Sequence, residues 1–376
     1  MIRETLAAIA IALGLAPAQA DAEARTVDSA TGPVRIETVA TGLEHPWGVA
    51  FLPEGDMLVT ERPGRLRRVA AGGSVSEPLA GGPDVAVTRQ GGLLDLALDP
   101  DFEDNRLVYM TYAERGDGGI STAVARGRLA GDALEDLEVI FRQRPRYDGP
   151  NHFGSRLAFA PDGTLYVTLG ERFEFEPAQA LDNHLGKVVR INPDGSVPED
   201  NPFVGRDDAL PEIWSYGHRN PQGAAIHPET GRLWMHEHGP RGGDEINVPE
   251  AGANHGWPEV SWGDHYSGGE IPDPPAEPQF ADAAFYWNPV IAASGMDFYT
   301  GDRFEAWTGD LLVGGLVAAA VVRLDVDGLE VEEIERIPMN ARVRQVAEGP
   351  DGAVYVLTDA PNGSLLRLTP AGESES

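Results

Sequence analysis

The chain has 376 residues, with 29 Lys and Arg against 60 Asp and Glu, a formal net charge of -31, and no cysteine. Such a surface repels nucleic acid and anionic lipid, and the lack of cysteine excludes disulfides, thiolate metal sites and a cysteine nucleophile. The acidic residues are scattered, so they read as a solvated surface, and they leave many carboxylates for a hard cation such as calcium.

Residues 1–20 read as a signal peptide. Arg3 gives a weakly charged start that Glu4 partly cancels, an apolar run follows from Leu6 to Ala16, and Ala18-Gln19-Ala20 offers small residues for cleavage before Asp21. The run is too short for a membrane span, which points to export to the periplasm; a cytoplasmic protein with a helical or disordered start is the alternative. No other segment is long and apolar enough to cross a membrane. Residues 21–31 are an N-terminal extension, 32–370 one domain, and 371–376 a flexible tail.

Along that domain one element recurs: a turn with Pro or Asp and then Gly or Asn, followed by a short β-rich run. Pro53-Glu54-Gly55 precedes Met57-Leu58-Val59-Thr60, and Pro100 and Asn105 precede Leu107-Val108-Tyr109-Met110. Pro161-Asp162-Gly163 precedes Leu165-Tyr166-Val167-Thr168, and Pro228 and Gly231 precede Leu233-Trp234-Met235. Thr308-Gly309-Asp310 precedes Leu311-Leu312-Val313, and Pro350-Asp351-Gly352 precedes Val354-Tyr355-Val356. An apolar strand stands before each turn, so each copy is a hairpin. Six hairpins with no long helical periodicity predict an all-β, six-bladed β-propeller of four-stranded antiparallel blades. A β-sandwich or a tandem of small β-domains is the alternative, but no linker marks such domains. The Pro- and Gly-rich stretches 171–215 and 239–290 are the expected place for a site.

Three stretches carry chemistry. In Asn151-His152-Phe153-Gly154-Ser155-Arg156, His152 leads into a strand, and Glu171 ends the hairpin that His152 begins. The two are placed to lie side by side, giving a general base oriented by a carboxylate; a structural histidine is the plainer reading. In Ser215-Tyr216-Gly217-His218-Arg219-Asn220-Pro221, Arg219 is suited either to an anionic ligand or to a surface ion pair. Arg342 and Arg344 flank Val343 on a strand, face the same way and need an anion between them. In His236-Glu237-His238-Gly239-Pro240-Arg241-Gly242-Gly243-Asp244-Glu245, two histidines suggest zinc but lack an assignable third ligand, while the Gly-rich turn with Asp244 and Glu245 suits calcium.

Together these blocks, with Gln90-Gly91-Gly92-Leu93-Leu94-Asp95, Gly252-Ala253-Asn254-His255-Gly256-Trp257-Pro258 and Arg342-Val343-Arg344, resemble the soluble quinoprotein glucose dehydrogenases and their aldose sugar dehydrogenase relatives, from about Leu43 to Leu368. The resemblance implies an enzyme dependent on pyrroloquinoline quinone (PQQ) and Ca²⁺ that oxidises aldoses to lactones. His152 would take the anomeric hydroxyl proton. Gln90 would line the pocket, Arg219, Asn220 and Tyr266 would contact PQQ, and Arg342 and Arg344 would hold its carboxylates. The carbonyls of Gly239 and Pro240 would ligate the calcium that touches PQQ. Glu245 and the backbone of His255 would form a separate structural calcium site.

Two positions depart from the pattern. The family's Lys after a Gly/Ser-(Ala)-Leu segment is Val317 here, a loss of one cation worth about 1.5–3 kcal/mol. Asn151 stands where the glucose dehydrogenases have Asp, so substrate preference does not transfer. A calcium-dependent lactonase-like hydrolase and a propeller that binds without PQQ are the competing functions. The sugar and the electron acceptor are not identified, and a monomer and a homodimer both fit.

Overall fold

The computed structural model describes residues 24–274 and 278–372. The expected signal peptide and the last four residues of the tail lie outside the described residues. Among those described, no helix is long and apolar enough to cross a membrane.

All six turn elements read in the sequence sit between the first and second strands of a blade. The pairs are Pro46–Phe51 with Met57–Glu61, Leu93–Leu98 with Leu107–Gly116, and Gly154–Phe159 with Leu165–Leu169. They continue with Pro221–Ile226 and Leu233–Glu237, Ala293–Phe298 and Leu311–Gly315, and Val343–Glu348 and Val354–Thr358. Gly55, Gly163 and Gly352 have φ of 93°, 82° and 72°, which a side chain would strain. Turn chemistry thus fixes where each strand pair reverses.

Four blades have four strands, as expected, and two do not. The blade that begins at Pro46 stops at its third strand, Arg65–Val69. The next segment runs beside that strand through the Val69–Val75 bridge and the bond from Leu79 N–H to the Leu66 carbonyl. Pro78 and the flanking Gly72-Gly73 and Gly81-Gly82-Pro83 keep it from forming a regular fourth strand. The last blade has five strands. Val34–Leu43 pairs with Gly363–Pro370, with Ile36 opposite Leu368, and Arg25–Val27 adds outside it. The chain's two ends therefore close the ring, and part of the expected N-terminal extension belongs to the propeller.

The six first strands pack in a closed circle about the axis. Each has a register irregularity near its start, as at Gly154/Leu157 and Val343/Gln345, and such irregularities bend a strand and re-aim its side chains. Arg156, which is 2% exposed, reaches from its inner strand into the centre of the ring. Its guanidinium pairs with Asp95 at 3.0 Å and donates to the carbonyls of Gln222 at 2.7 Å and Arg344 at 3.2 Å. It also lies 4.0 Å from the Trp47 ring. One side chain thus joins the inner strands of five blades.

Arg156→Met leaves Asp95 as an uncompensated buried charge. We expect a loss of about 3–5 kcal/mol in urea unfolding, with part recovered when Asp95→Asn is added; equal stability of the single variant and wild type would contradict the hub role.

Candidate active site

The segments that lead into the inner strands converge at one mouth of the ring. His152 precedes Gly154–Phe159, and its backbone is left-handed with φ 50°. Its N–H donates to Gln90 Oε1 at 2.7 Å. Its Nδ1 meets Glu171 Oε2 at 2.9 Å, so the expected side-by-side placement of His152 and Glu171 is observed. The same carboxylate oxygen accepts the Phe173 N–H. Because Nδ1–H donates to the carboxylate, Nε2 of the neutral ring keeps its lone pair, and no hydrogen bond among the described residues reaches it. Burial holds His152 below the usual imidazole range; Glu171 opposes this, while Arg219 and Arg172 add to it.

The arrangement has a copy. In the next blade His218 Nδ1 meets Glu237 Oε1 at 2.9 Å, and both His–Glu pairs are 19 residues apart in sequence. The second pair is closed: His218 is fully buried, its Nε2 meets Ser215 Oγ at 2.8 Å, and its ring stacks on His255 at 4.6 Å. A carboxylate at the end of the second strand recurs elsewhere too. Glu61 takes Arg65, and Asp359 meets His45, Arg342 and Arg344.

Arg219 does not form the surface ion pair that was its plainer reading. It is 3% exposed and donates to the carbonyls of His238 at 2.9 Å and Gly239 at 2.8 Å. Its guanidinium lies 5.2 Å from the Trp257 ring and 3.4 Å from the Tyr266 hydroxyl, and its Nε is buried without a partner. Asn151 Oδ1 and Glu171 Oε1 are likewise buried and unpartnered. Buried polar atoms normally find a partner, so three unused atoms around one imidazole mark a place for a polar ligand. Tyr266 is 63% exposed beside Arg219, and Asn220 Oδ1 accepts the Gly154 N–H at 3.2 Å.

The anion that Arg342 and Arg344 need comes from the chain itself: Asp359 Oδ2 lies 3.2 Å and 3.3 Å from them. Arg344 is buried and also donates to Gln222 Oε1 at 2.9 Å, while Arg342 is exposed and reaches the Leu316 carbonyl. Next to Leu316 stands the exposed Val317. The histidines that suggested zinc are used otherwise, since Nε2 of His236 and His238 donate to the carbonyls of Ser294 and Ala293. Glu245 stands across the sheet from Glu237, and burial, then Glu237, pushes its carboxyl well above the usual range. Two crowded carboxylates next to the Gly239 turn favour a cation there.

Sequence reasoning passed over Glu237, Asp359 and Lys187. The first two were findable from their repeated place in the blades. Lys187, the only lysine in the chain, is buried; its Nζ donates to the carbonyls of Pro177, Ala178 and Leu185 at 3.0, 2.9 and 2.6 Å. It fastens the loop that follows Glu171 to the blade.

The glucose/sorbosone dehydrogenase family pattern matches residues 43–367. The chain belongs to that family. It is 46% identical over 350 residues to aldose sugar dehydrogenase YliI of Escherichia coli K12, covering 91% of this chain and 94% of that protein. The apo-form structure of the soluble E. coli aldose sugar dehydrogenase superposes with a TM-score of 0.86 at 45% identity, covering 90% of this chain and 99% of the other. The PQQ-bound aldose sugar dehydrogenase of Streptomyces coelicolor gives 0.73 at 29% identity, covering 91% and 100%.

Glu171→Gln removes the group that raises the His152 pKa, so His152 is expected to titrate at still lower pH. Histidine NMR titration checks this, and an unmoved or higher pKa would refute the pairing.

Proposed function

We propose that this sugar dehydrogenase is a periplasmic quinoprotein that oxidises aldoses at the anomeric carbon to lactones with PQQ and Ca²⁺. The observation that carries the reading is a buried imidazole, oriented by Glu171 with Nε2 free, beside an arginine that has no carboxylate partner. His152 Nε2 takes the anomeric hydroxyl proton, and Glu171 stabilises the imidazolium that forms. Removal of that proton drives the hydride from the anomeric carbon. PQQ, when bound, would supply the hydride acceptor; the carbonyls of Pro240 and of Gly239, which has a second lone pair beside the one Arg219 uses, would hold the calcium that polarises it.

Arg219 stabilises negative charge appearing opposite the sugar, and its place among carbonyls keeps it pointed there. Gln90 fixes the His152 backbone through Oε1, which leaves its amide donors for a ligand. Asn220 does the same through Gly154, and Tyr266 borders the cofactor. Arg342 is the outer carboxylate anchor. Arg344 adds charge from beneath, and Asp359 partly offsets both. The crowded Glu245, with the His255 backbone, would hold the structural calcium.

A lactonase would need several side-chain ligands around one metal, and among the described residues no group of three or more His, Cys, Asp or Glu is placed to hold one.

Reconstitution with PQQ and Ca²⁺ is expected to raise the melting temperature and give dye-linked oxidation of aldoses. A protein whose stability PQQ leaves unchanged is a binding module without the cofactor, and the proposal fails. His152→Ala should lower kcat by about 10²–10⁴ with PQQ still bound. The base works neutral, so kcat/KM rises with pH and levels off once His152 is deprotonated. Because burial lowers its pKa, the midpoint of that acid limb lies below 6.5; a limb above that value contradicts the assignment. Val317→Lys should tighten PQQ binding by about 10–100-fold, the equivalent of one charged hydrogen bond, in a quinone titration.

A further inference from the structure

We propose that Arg172 is a positioning residue that sets the loop carrying His152 and supplies a fixed positive charge behind it. The kinetic part rests on the dehydrogenase reading above; the geometry does not. Arg172 is 1% exposed. Its guanidinium is spent on main-chain carbonyls: Nε donates to Asn151 at 2.9 Å, Nη1 to Ile120 at 2.7 Å, and Nη2 to Gly149. Its flat face lies 3.6 Å from the ring of Phe153. The side chain therefore grips the residues immediately before and after His152, and ties both to Ile120 in the strand Gly119–Ala130 of the preceding blade.

This grip answers a local need. His152, Arg172 and Phe173 all have left-handed backbones, with φ of 50°, 64° and 71°. Non-glycine residues hold that conformation only where the surroundings over-determine it. A planar fork with five donors can hold three carbonyls in different directions; an ammonium cannot span them.

The choice of a cation has its own effect. Burial alone disfavours an unpaired guanidinium, and its pKa falls to about 10. No neutral side chain carries enough donors in this geometry for the three carbonyls, so a positive charge comes with the fork and acts on its surroundings. The groups that face His152 are Glu171, which favours its protonated form, and Arg219 and Arg172, whose positive charge opposes it; His238 is also near, but burial lowers its pKa to about 3 and it stays neutral. Arg172 thus helps keep the base neutral and ready to accept a proton.

The test compares the full chain with Arg172→Gln and Arg172→Lys. His152 is titrated by NMR without PQQ or sugar, and kcat, KM and the PQQ dissociation constant are measured on the loaded enzyme. In R172Q, His152 is expected to titrate at higher pH, and kcat to fall about 10–100-fold, as for a small misplacement of a catalytic group, with PQQ affinity held within about threefold. In R172K, the titration returns toward wild type while kcat recovers only in part. An unmoved titration in R172Q overturns the electrostatic role. Wild-type kcat in R172K, or equal losses of kcat and PQQ affinity, overturns the positioning role. If R172Q does not fold, R172K decides the positioning role by kcat, and Arg172→Met with its His152 titration decides the charge. If the loaded wild type oxidises no sugar, the dehydrogenase reading fails, and the NMR arm still tests Arg172.

Discussion

A buried cation on the axis organises this molecule. Arg156 cannot be left without partners in a dry interior, and it meets that demand with Asp95, two carbonyls and an indole ring drawn from neighbouring blades. Each partner sits on an inner strand, so those strands must arrive at the axis at fixed heights. The loops above them then converge in a fixed pattern, and Gln90, His152, Arg219 and Arg342 all belong to such loops. The geometry of the mouth is inherited from the hub they share.

The candidate centre at His152 is a modified copy of a structural device. A carboxylate at the end of the second strand tethers the segment that leads into an inner strand, and several blades use it. Around Glu237 every partner is consumed, and His218 is sealed. Around Glu171 one oxygen of the carboxylate and one nitrogen of the imidazole remain open. Catalytic potential arises here from leaving a repeated network incomplete, at the blade whose loop Arg172 holds in place.

Much of this was legible in the sequence because it is local. Pro-Asp-Gly turns fix hairpins by their own dihedral preferences, and a hairpin brings His152 to Glu171 with no knowledge of the rest. What was missed depends on distant partners. The fourth strand is missing beside Arg65–Val69 because Pro78 and nearby glycines interrupt its pairing, which strand counting overlooks. Arg342 and Arg344 correctly read as convergent, but Asp359, from the next strand end, already answers them. The zinc suggestion at His236 and His238 dissolves because their acceptors, Ser294 and Ala293, lie in another blade.

Lys187 has a practical corollary. Its amine is enclosed by three carbonyls, and every other basic side chain apart from histidine is an arginine. The folded surface therefore presents no lysine to electrophiles. Reducing sugars, whose open-chain aldehydes slowly condense with lysine amines, find no such target on the folded protein. Attachment to an electrode or resin by amine-reactive esters would likewise find no lysine, and the carboxylates are the abundant handles for coupling.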